Sequence, residues 1–393
     1  SPWTFVRDDL MYLLWGRLGY DPTTPEATFR ALAARELGSD GLWDAIQAAD
    51  DIVPWIQTGH TCGPDHRDFN PEMELGGDVA QWAGLKKMEN CAYPGPFDTF
   101  AIASPKEAAA DLVAKRATSR ITPMDIAAHV LDDVAAVDAA LQAFGGGATA
   151  TTLPKAVLAR DVVRECRALA DLGRYFAHKL RAATALAVYA QAAAPAPEWL
   201  ATARSETTIA DDAWRALAAD MAYIQPFAER LRMGRLGYDP FHWSKLLPAL
   251  DDDPKSLDAI AATVGGGAAD PNAIASAAVW LRAPRRPGPG LTALTISPAL
   301  ASATSWTVEV RLAAPVAADA IVNVLWKPFD SEQDWISAVA ARRADGSYAA
   351  TLAGDRAGAL FAVEVRTADG AWRYPDAMSA TPYVSVAPGD ASP

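Results

Sequence analysis

Near residue 283 the hydrophobic period of this chain changes, and that change limits the folds open to it. Up to that point apolar residues recur three and four apart, as on one face of a helix. After "RAPRRPGPG" at 282–290, a linker by composition, they alternate. "SWTVEVRL", "AIVNVLWK", "SYAATLAG", "LFAVEVRT" and "AWRYP" read as short strands separated by turns such as "ADG", which occurs twice. The pattern predicts a mainly α, bundle-like region followed by an all-β sandwich of immunoglobulin or fibronectin type. It places the helical domain at 23–282, the linker at 283–290 and the sandwich at 291–393.

Punctuation residues divide the helical part. "WTFVRDDLMYLLW" carries Phe5, Leu10, Leu13 and Leu14 at roughly helical spacing, with Gly16 where a helix would end. Thr24 is a plausible N-cap and Pro25 suits the first turn of a second helix, closed by Gly38. "SDGLWDAIQAADDIVPWIQ" reads as a third, reaching Pro54. "SPKEAAADLVAKRA" and "TPMDIAAHVLDDVAAVDAALQAF" follow, the second capped by Thr122, started by Pro123 and stopped at Gly145 to Gly147. Residues 153–192 form a long Ala-rich amphipathic helix, with Val157, Leu158, Val162, Cys166, Leu169 and Leu172 on one face. After the break at "AAAPAPE" a helix is expected over 208–233, and a short helical tail runs to about residue 282.

Composition narrows the function. A net charge of −13 with Lys and Arg scattered singly leaves no basic stripe, which argues against nucleic acid and anionic membrane surfaces. No apolar run reaches the roughly 18–20 residues of a bilayer span. Walker loops, GxGxxG after a strand and GxSxG elbows are absent, and "GGGA" at Gly145 and Gly265 lacks a flanking strand. No cofactor is implied. Cys62, Cys91 and Cys166 are too few for a disulfide scaffold, although Cys62 and Cys91 share one segment and would bridge in an oxidising compartment. The chain opens without Met, as a processed product or a piece of a longer polypeptide would.

The pattern dissolves from Thr58 to Phe100, a stretch dense in His, Asp, Asn, Glu, Trp and Tyr. Long irregular segments often carry function, because the scaffold tolerates them in order to place side chains. His60, Asp65, His66, Asn70 and Glu72 are candidate partners for sugar hydroxyls or a carboxylate, and Trp82 and Tyr93 are candidate stacking platforms. Asp68 and Glu74 belong to the same cluster, and Glu72 or Glu74 offers a carboxylate of the kind glycoside hydrolysis needs. The bland alternative is a polar loop that caps helix ends. His60, Asp65, His66 and Glu72 match no zinc spacing, so no metal is assigned. His129 and His242 stand alone and read as structural.

"GRLGYDP" occurs at 16–22 and at 234–240 with unlike flanks, so it reads as a shared helix-ending turn rather than a domain duplication. The first copy carries more. "LLWGRLGYDPTTPEATFRALAARELG" resembles the segment that leaves the catalytic barrel in bacterial α-glucuronidases, the xylan-debranching glycoside hydrolases. In that family an aromatic-rich helix ends in a "GRLAWNP"-type turn, and a "HHYGP"-type stretch follows near the mouth of the active site. Here "GHTCGPDHRDFNPE" stands at a comparable spacing, with the tandem His reduced to His60 and Thr61 and an aromatic replaced by Cys62.

The resemblance covers residues 1 to about 75, and the appended sandwich departs from it. It implies that residues 1–22 are the exit helix of an upstream barrel, on this polypeptide or another, which carries the catalytic carboxylates. It implies a carbohydrate substrate, a cleft-shaping and assembly role for this chain, and a periplasmic or extracellular location. It leaves room for a homo-oligomer. Two other readings compete. One is a self-contained lyase of uronic-acid polysaccharide using Arg174, Tyr175 and His178 of "GRYFAHKLR"; the other is a non-catalytic binding module.

Overall fold

The computed structural model describes residues 9–61, 75–88, 95–145, 156–222, 242–282, 295–302, 305–312, 316–329, 333–353, 358–368, 370–379 and 381–386. The chain forms two compact units. One comprises Ser1–Phe97 with Pro123–Ala283, and the other Asp98–Thr122 with Pro284–Pro393.

The first unit is helical: α1 (Asp9–Tyr20), α2 (Glu26–Leu37), α3 (Gly41–Gly59) and the single turn α4 (Val79–Trp82) precede the excursion into the second unit. There the chain forms α5 (Pro105–Val113), and it returns for α6 (Pro123–Ala143), α7 (Ala156–Gln191) and α8 (Pro197–Asp220). A 3-10 segment (Trp243–Asp251), α9 (Asp252–Val264) and α10 (Pro271–Arg282) close the unit.

Helix α7 is its axis. From Ala170 to Tyr189 only Arg174 and His178 are not buried, because α3, α6 and α8 pack around it. Alanines at 177, 182, 183, 185 and 187 are fully or almost fully excluded from solvent and let neighbouring helices approach closely. Gly173 marks the tightest approach: a Cβ there would lie 2.8 Å from Val134 Cγ2 and 3.2 Å from Ile52 Cγ2.

Several element ends differ from those read in the sequence. Helix α1 passes through Gly16 and stops at Tyr20. The turn is made by Asp21, whose position before Pro22 disfavours helix and whose Oδ1 accepts the Thr23 amide at 3.0 Å and hydroxyl at 2.6 Å. Thr24 does not cap α2; its hydroxyl donates to the Asp21 carbonyl at 2.7 Å, and Pro25 takes the N-cap position. Gly38 closes α2 in the left-handed conformation, with φ 77°.

Helix α3 continues past Pro54 to Gly59. Pro54 and Asp50 are both exposed, so the Asp50 carbonyl that Pro54 cannot bond is on the side open to water. Helix α8 starts at Pro197 rather than 208 and ends at Asp220. Two of its hydroxyl residues bond to the preceding turn, Thr202 to the Glu198 carbonyl at 2.8 Å and Thr208 to the Arg204 carbonyl at 3.0 Å. The second GRLGYDP, at 234–240, lies outside the described residues.

The second unit is the expected antiparallel sandwich. Its strands are β1 (Thr295–Ser302), β2 (Ser305–Arg311), β3 (Ile321–Pro328), β4 (Ile336–Val339), β5 (Ala341–Arg342), β6 (Tyr348–Ala353), β7 (Ala359–Thr367), β8 (Gly370–Tyr374) and β9 (Val384–Val386). One sheet runs β1-β2-β6-β5; the other runs β4-β3-β7-β8, with β9 also on β7.

Period-two alternation builds the core: Trp306, Val308 and Val310 from β2 meet Val322, Val324 and Trp326 from β3, with Tyr348, Leu352, Phe361 and Val363 between them. Residues 98–122 join this unit in space although they precede it by far in sequence. Phe100 stacks on Trp335 with ring centroids 4.0 Å apart, the Arg373 guanidinium lies 4.1 Å over the Phe100 ring, and the Ser119 hydroxyl donates to the buried Glu364 carboxylate.

The same substitution should have opposite effects at two helical glycines. A Cβ at Gly16 meets nothing within 4 Å, so Gly16→Ala should slow amide exchange in α1 by about three- to fivefold, the propensity gain of one glycine. Gly173→Ala should lower unfolding free energy by about 1–3 kcal/mol in urea titrations, because β-branched Val134 cannot yield without leaving its rotamer.

Candidate functional site

The described part of the loop-rich segment is held by a cluster of buried polar groups beside α7. Tyr175 and Lys179 are one turn apart on that helix and both are almost fully buried. The Tyr175 hydroxyl donates to the Leu75 carbonyl at 2.8 Å. The Lys179 ammonium donates to the Gly77 carbonyl at 2.7 Å and to the Tyr175 oxygen at 2.9 Å, and it pairs with Asp253 Oδ2 at 3.1 Å. Asp253, in the first turn of α9, uses its other oxygen to accept the Val79 amide at 2.5 Å. The short α4 starts on its own capping box, Asp78 with Gln81, and Lys86 pairs with Asp78 at 2.7 Å.

Aromatic rings enclose this centre. Trp82 lies face to face with His60, their rings 4.1 Å apart and 14° from parallel, and its edge contacts Phe176. Lys179 Nζ sits 5.4 Å from the Trp82 ring and 5.2 Å from that of Tyr175, within cation–π range. Trp214 closes the other side, 4.7 Å from Tyr175.

Burial and charge set the protonation states. Burial pushes the Tyr175 hydroxyl up to about 12 even though Lys179 pulls it down. Burial works against the Lys179 charge, but Asp253 and Tyr175 together hold the ammonium above its ordinary range. Burial, aided by the Lys179 charge, pushes His60 down to about 3, so its ring is neutral, and its buried Nε2 has no hydrogen-bond partner. Asp211 on α8, 7% exposed, is pushed up to about 7 by burial and then by the Asp253 charge, with Lys179 opposing.

These groups form an anchor rather than a reaction centre. Lys179 donates to the Gly77 carbonyl and the Tyr175 oxygen and pairs by charge with Asp253, and the cavity beside them, lined by Leu75, Gly77, Tyr175, Trp214 and Leu250, has a volume of about 10 Å³, room for one water at most. The anchor fixes the chain at Leu75 to Gly77. A pair of backbone bonds between Thr61 and Gly95, at 2.7 and 3.1 Å, fixes it at two further points.

Of the residues read from the sequence as substrate contacts, the fold brings His60 and Trp82 together, 1% and 3% exposed, with each ring covering the other. Asp65, His66, Asn70, Glu72 and Tyr93 lie outside the described residues, as do Asp68, Glu74, Cys62 and Cys91. Cys166 is a buried free thiol.

The Arg174, Tyr175 and His178 set does not converge. Arg174 pairs with Asp138 and with Asp171, His178 bonds Glu206 at 2.6 Å, and the Tyr175 proton is committed to Leu75. With its pKa raised and its oxygen enclosed, Tyr175 is no base for a polysaccharide, which removes that lyase arrangement. His242 is structural, its Nδ1 capping the 3-10 segment through the Ser244 amide at 3.1 Å. Lys179, Asp211 and Asp253 escaped the sequence reading. The signal for Lys179 was a lone ammonium on the Ala-rich face of α7, one turn from Tyr175.

No family model matches the chain, and no curated protein does. Among solved structures the chain is similar to a GH138 enzyme targeting pectin rhamnogalacturonan II, at 15% identity with a TM-score of 0.47. The likeness covers 63% of this chain and 37% of that one, so the chain spans well under half the length of the enzyme it matches.

Breaking the buried pair should be costly: Lys179→Met or Asp253→Asn should each lower unfolding free energy by about 3–5 kcal/mol, with the double variant falling well short of the sum. Asp211 sets a pH dependence. Its folded pKa lies above the unfolded value, so its proton stabilises the fold below about pH 4, and that contribution is lost as pH rises toward 7. Urea unfolding should therefore show Asp211→Asn gaining on wild type by about 2–4 kcal/mol between pH 4 and pH 7.5.

Proposed function

We propose that the helical unit supplies a substrate-facing wall of a carbohydrate-active glycoside hydrolase of α-glucuronidase-like type, with the catalytic carboxylates carried by a barrel on the same polypeptide or a partner chain. One observation carries this reading. The polar stretch 62–74 is flanked on one side by Thr61, paired to Gly95, and on the other by Leu75 and Gly77, whose carbonyls are held by Tyr175 and Lys179.

A fold that commits a buried ammonium and a phenol to one end of that stretch, and a backbone pair to the other, fixes its two flanks. Such fixing lowers the ordering cost of binding. The residues between those points include Asp65, His66, Asn70 and Glu72, which suit sugar hydroxyls and a uronate carboxylate. The resemblance of residues 13–38 to the barrel-exit segment of α-glucuronidases favours the same reading. An extracellular or periplasmic setting belongs to the proposal.

The test uses the full chain, titrated calorimetrically with glucuronate-bearing and neutral xylo-oligosaccharides, with release of new reducing ends followed in parallel. The expected result is measurable binding of the acidic oligosaccharide without hydrolysis, weakened about tenfold or more by His66→Ala or Asp65→Ala. Hydrolysis by this chain alone, or binding indifferent to both substitutions, would overturn the proposal.

A further inference from the structure

A second group of side chains in the helical unit has the composition and spacing of a metal site. Asp51 and Trp55 lie on α3, and His129 and Asp133 lie one turn apart on α6. One ligand-type atom from each of Asp51, His129 and Asp133 falls within 4.8 Å of the other two. His129 Nε2 is 3.1 Å from Asp51 Oδ2 and 3.7 Å from Asp133 Oδ2.

Ligands at about 2.0–2.2 Å from a zinc-sized ion stand roughly 3–3.5 Å from one another, so closing the third edge takes only small side-chain rotations. Because the atoms come from helices packed together, the spacing is fixed by backbone rather than by a loop.

Two independent observations indicate a cation. Among the described residues no Lys or Arg pairs with Asp51 or Asp133, whereas Asp138 and Asp171 both pair with Arg174. Asp133 Oδ2 is shielded from solvent and has no hydrogen-bond partner. The surrounding shell is also of the kind that orients ligands. The Trp55 indole donates to Asp51 Oδ2 at 3.3 Å, and its ring packs on His129 with centroids 4.4 Å apart.

We propose that Asp51, His129 and Asp133 form a binding site for a divalent first-row transition cation such as zinc, with the remaining coordination positions open to water or to a ligand group. One imidazole with two carboxylates favours zinc over calcium or magnesium, which take oxygen alone. The ion supplies the positive charge that the two carboxylates lack.

The test is metal stoichiometry on the full chain, loaded with zinc, desalted and analysed by elemental mass spectrometry, with cobalt(II) absorption reporting the ligand field. Expected are one ion per chain and cobalt bands that vanish in His129→Gln. Affinity should fall about tenfold or more in His129→Gln and Asp133→Asn, with circular dichroism and melting confirming that both variants fold. Calcium should not compete at equal concentration. Substoichiometric zinc, or binding unchanged in both variants, would overturn the proposal. The first result would leave His129 simply hydrogen-bonded to Asp51, and the second would place the ion on other residues.

Discussion

The helical unit is organised around a charge taken out of water. Lys179 is 3% exposed in the middle of α7, and a bare ammonium at such depth is untenable without compensation. Its compensation comes from three directions: a carboxylate on α9, a phenol on its own helix and a backbone carbonyl just before α4. Each of those elements is thereby fixed relative to α7. Hydrophobic contact alone would allow the short α4 and the segment leading to it to slide, because apolar packing has no direction. An ion pair with two additional hydrogen bonds at defined angles does not.

The same interaction accounts for the aromatic density around it. Trp82 and Tyr175 present their rings to the ammonium and Trp214 packs on Tyr175, which excludes water and strengthens each polar contact in the enclosed space. His60 is neutral there chiefly because it is buried, and repulsion by Lys179 adds to that. Asp211 is the residue that this arrangement leaves under tension, a carboxyl raised by burial and by the Asp253 charge, which the Lys179 ammonium only partly offsets.

Much of the architecture was legible before any coordinates. The change of period near residue 283, the helix over "SPKEAAADLVAKRA" and Gly38 as a helix stop all appear where local chemistry demands them. Element ends were read less well where local signals conflicted. Gly16 looks like a terminator, yet it sits inside α1, because the Asp21-Pro22 step downstream is the stronger break. Pro54 looks like one too, but on an exposed face its missing amide costs little. The membership of residues 98–122 in the second unit had no local signature, since Phe100 stacking on Trp335 and Ser119 bonding Glu364 join positions far apart in sequence.

The sequence by itself determined the classes of element, the sandwich core and the polar stretch after Thr58, since these depend on period, turn residues and composition within short windows. Only the tertiary structure decided what the individual polar side chains do. Tyr175 and His178 are three residues and only about 60° apart around α7, yet one faces Leu75 and the other Glu206 because different elements pack against the two positions. His129 looked solitary in the sequence and has carboxylates on two sides in space. The reason is general: a helix presents its side chains to several different neighbours, and which neighbour each one meets is fixed by how the helices pack, which no local window contains.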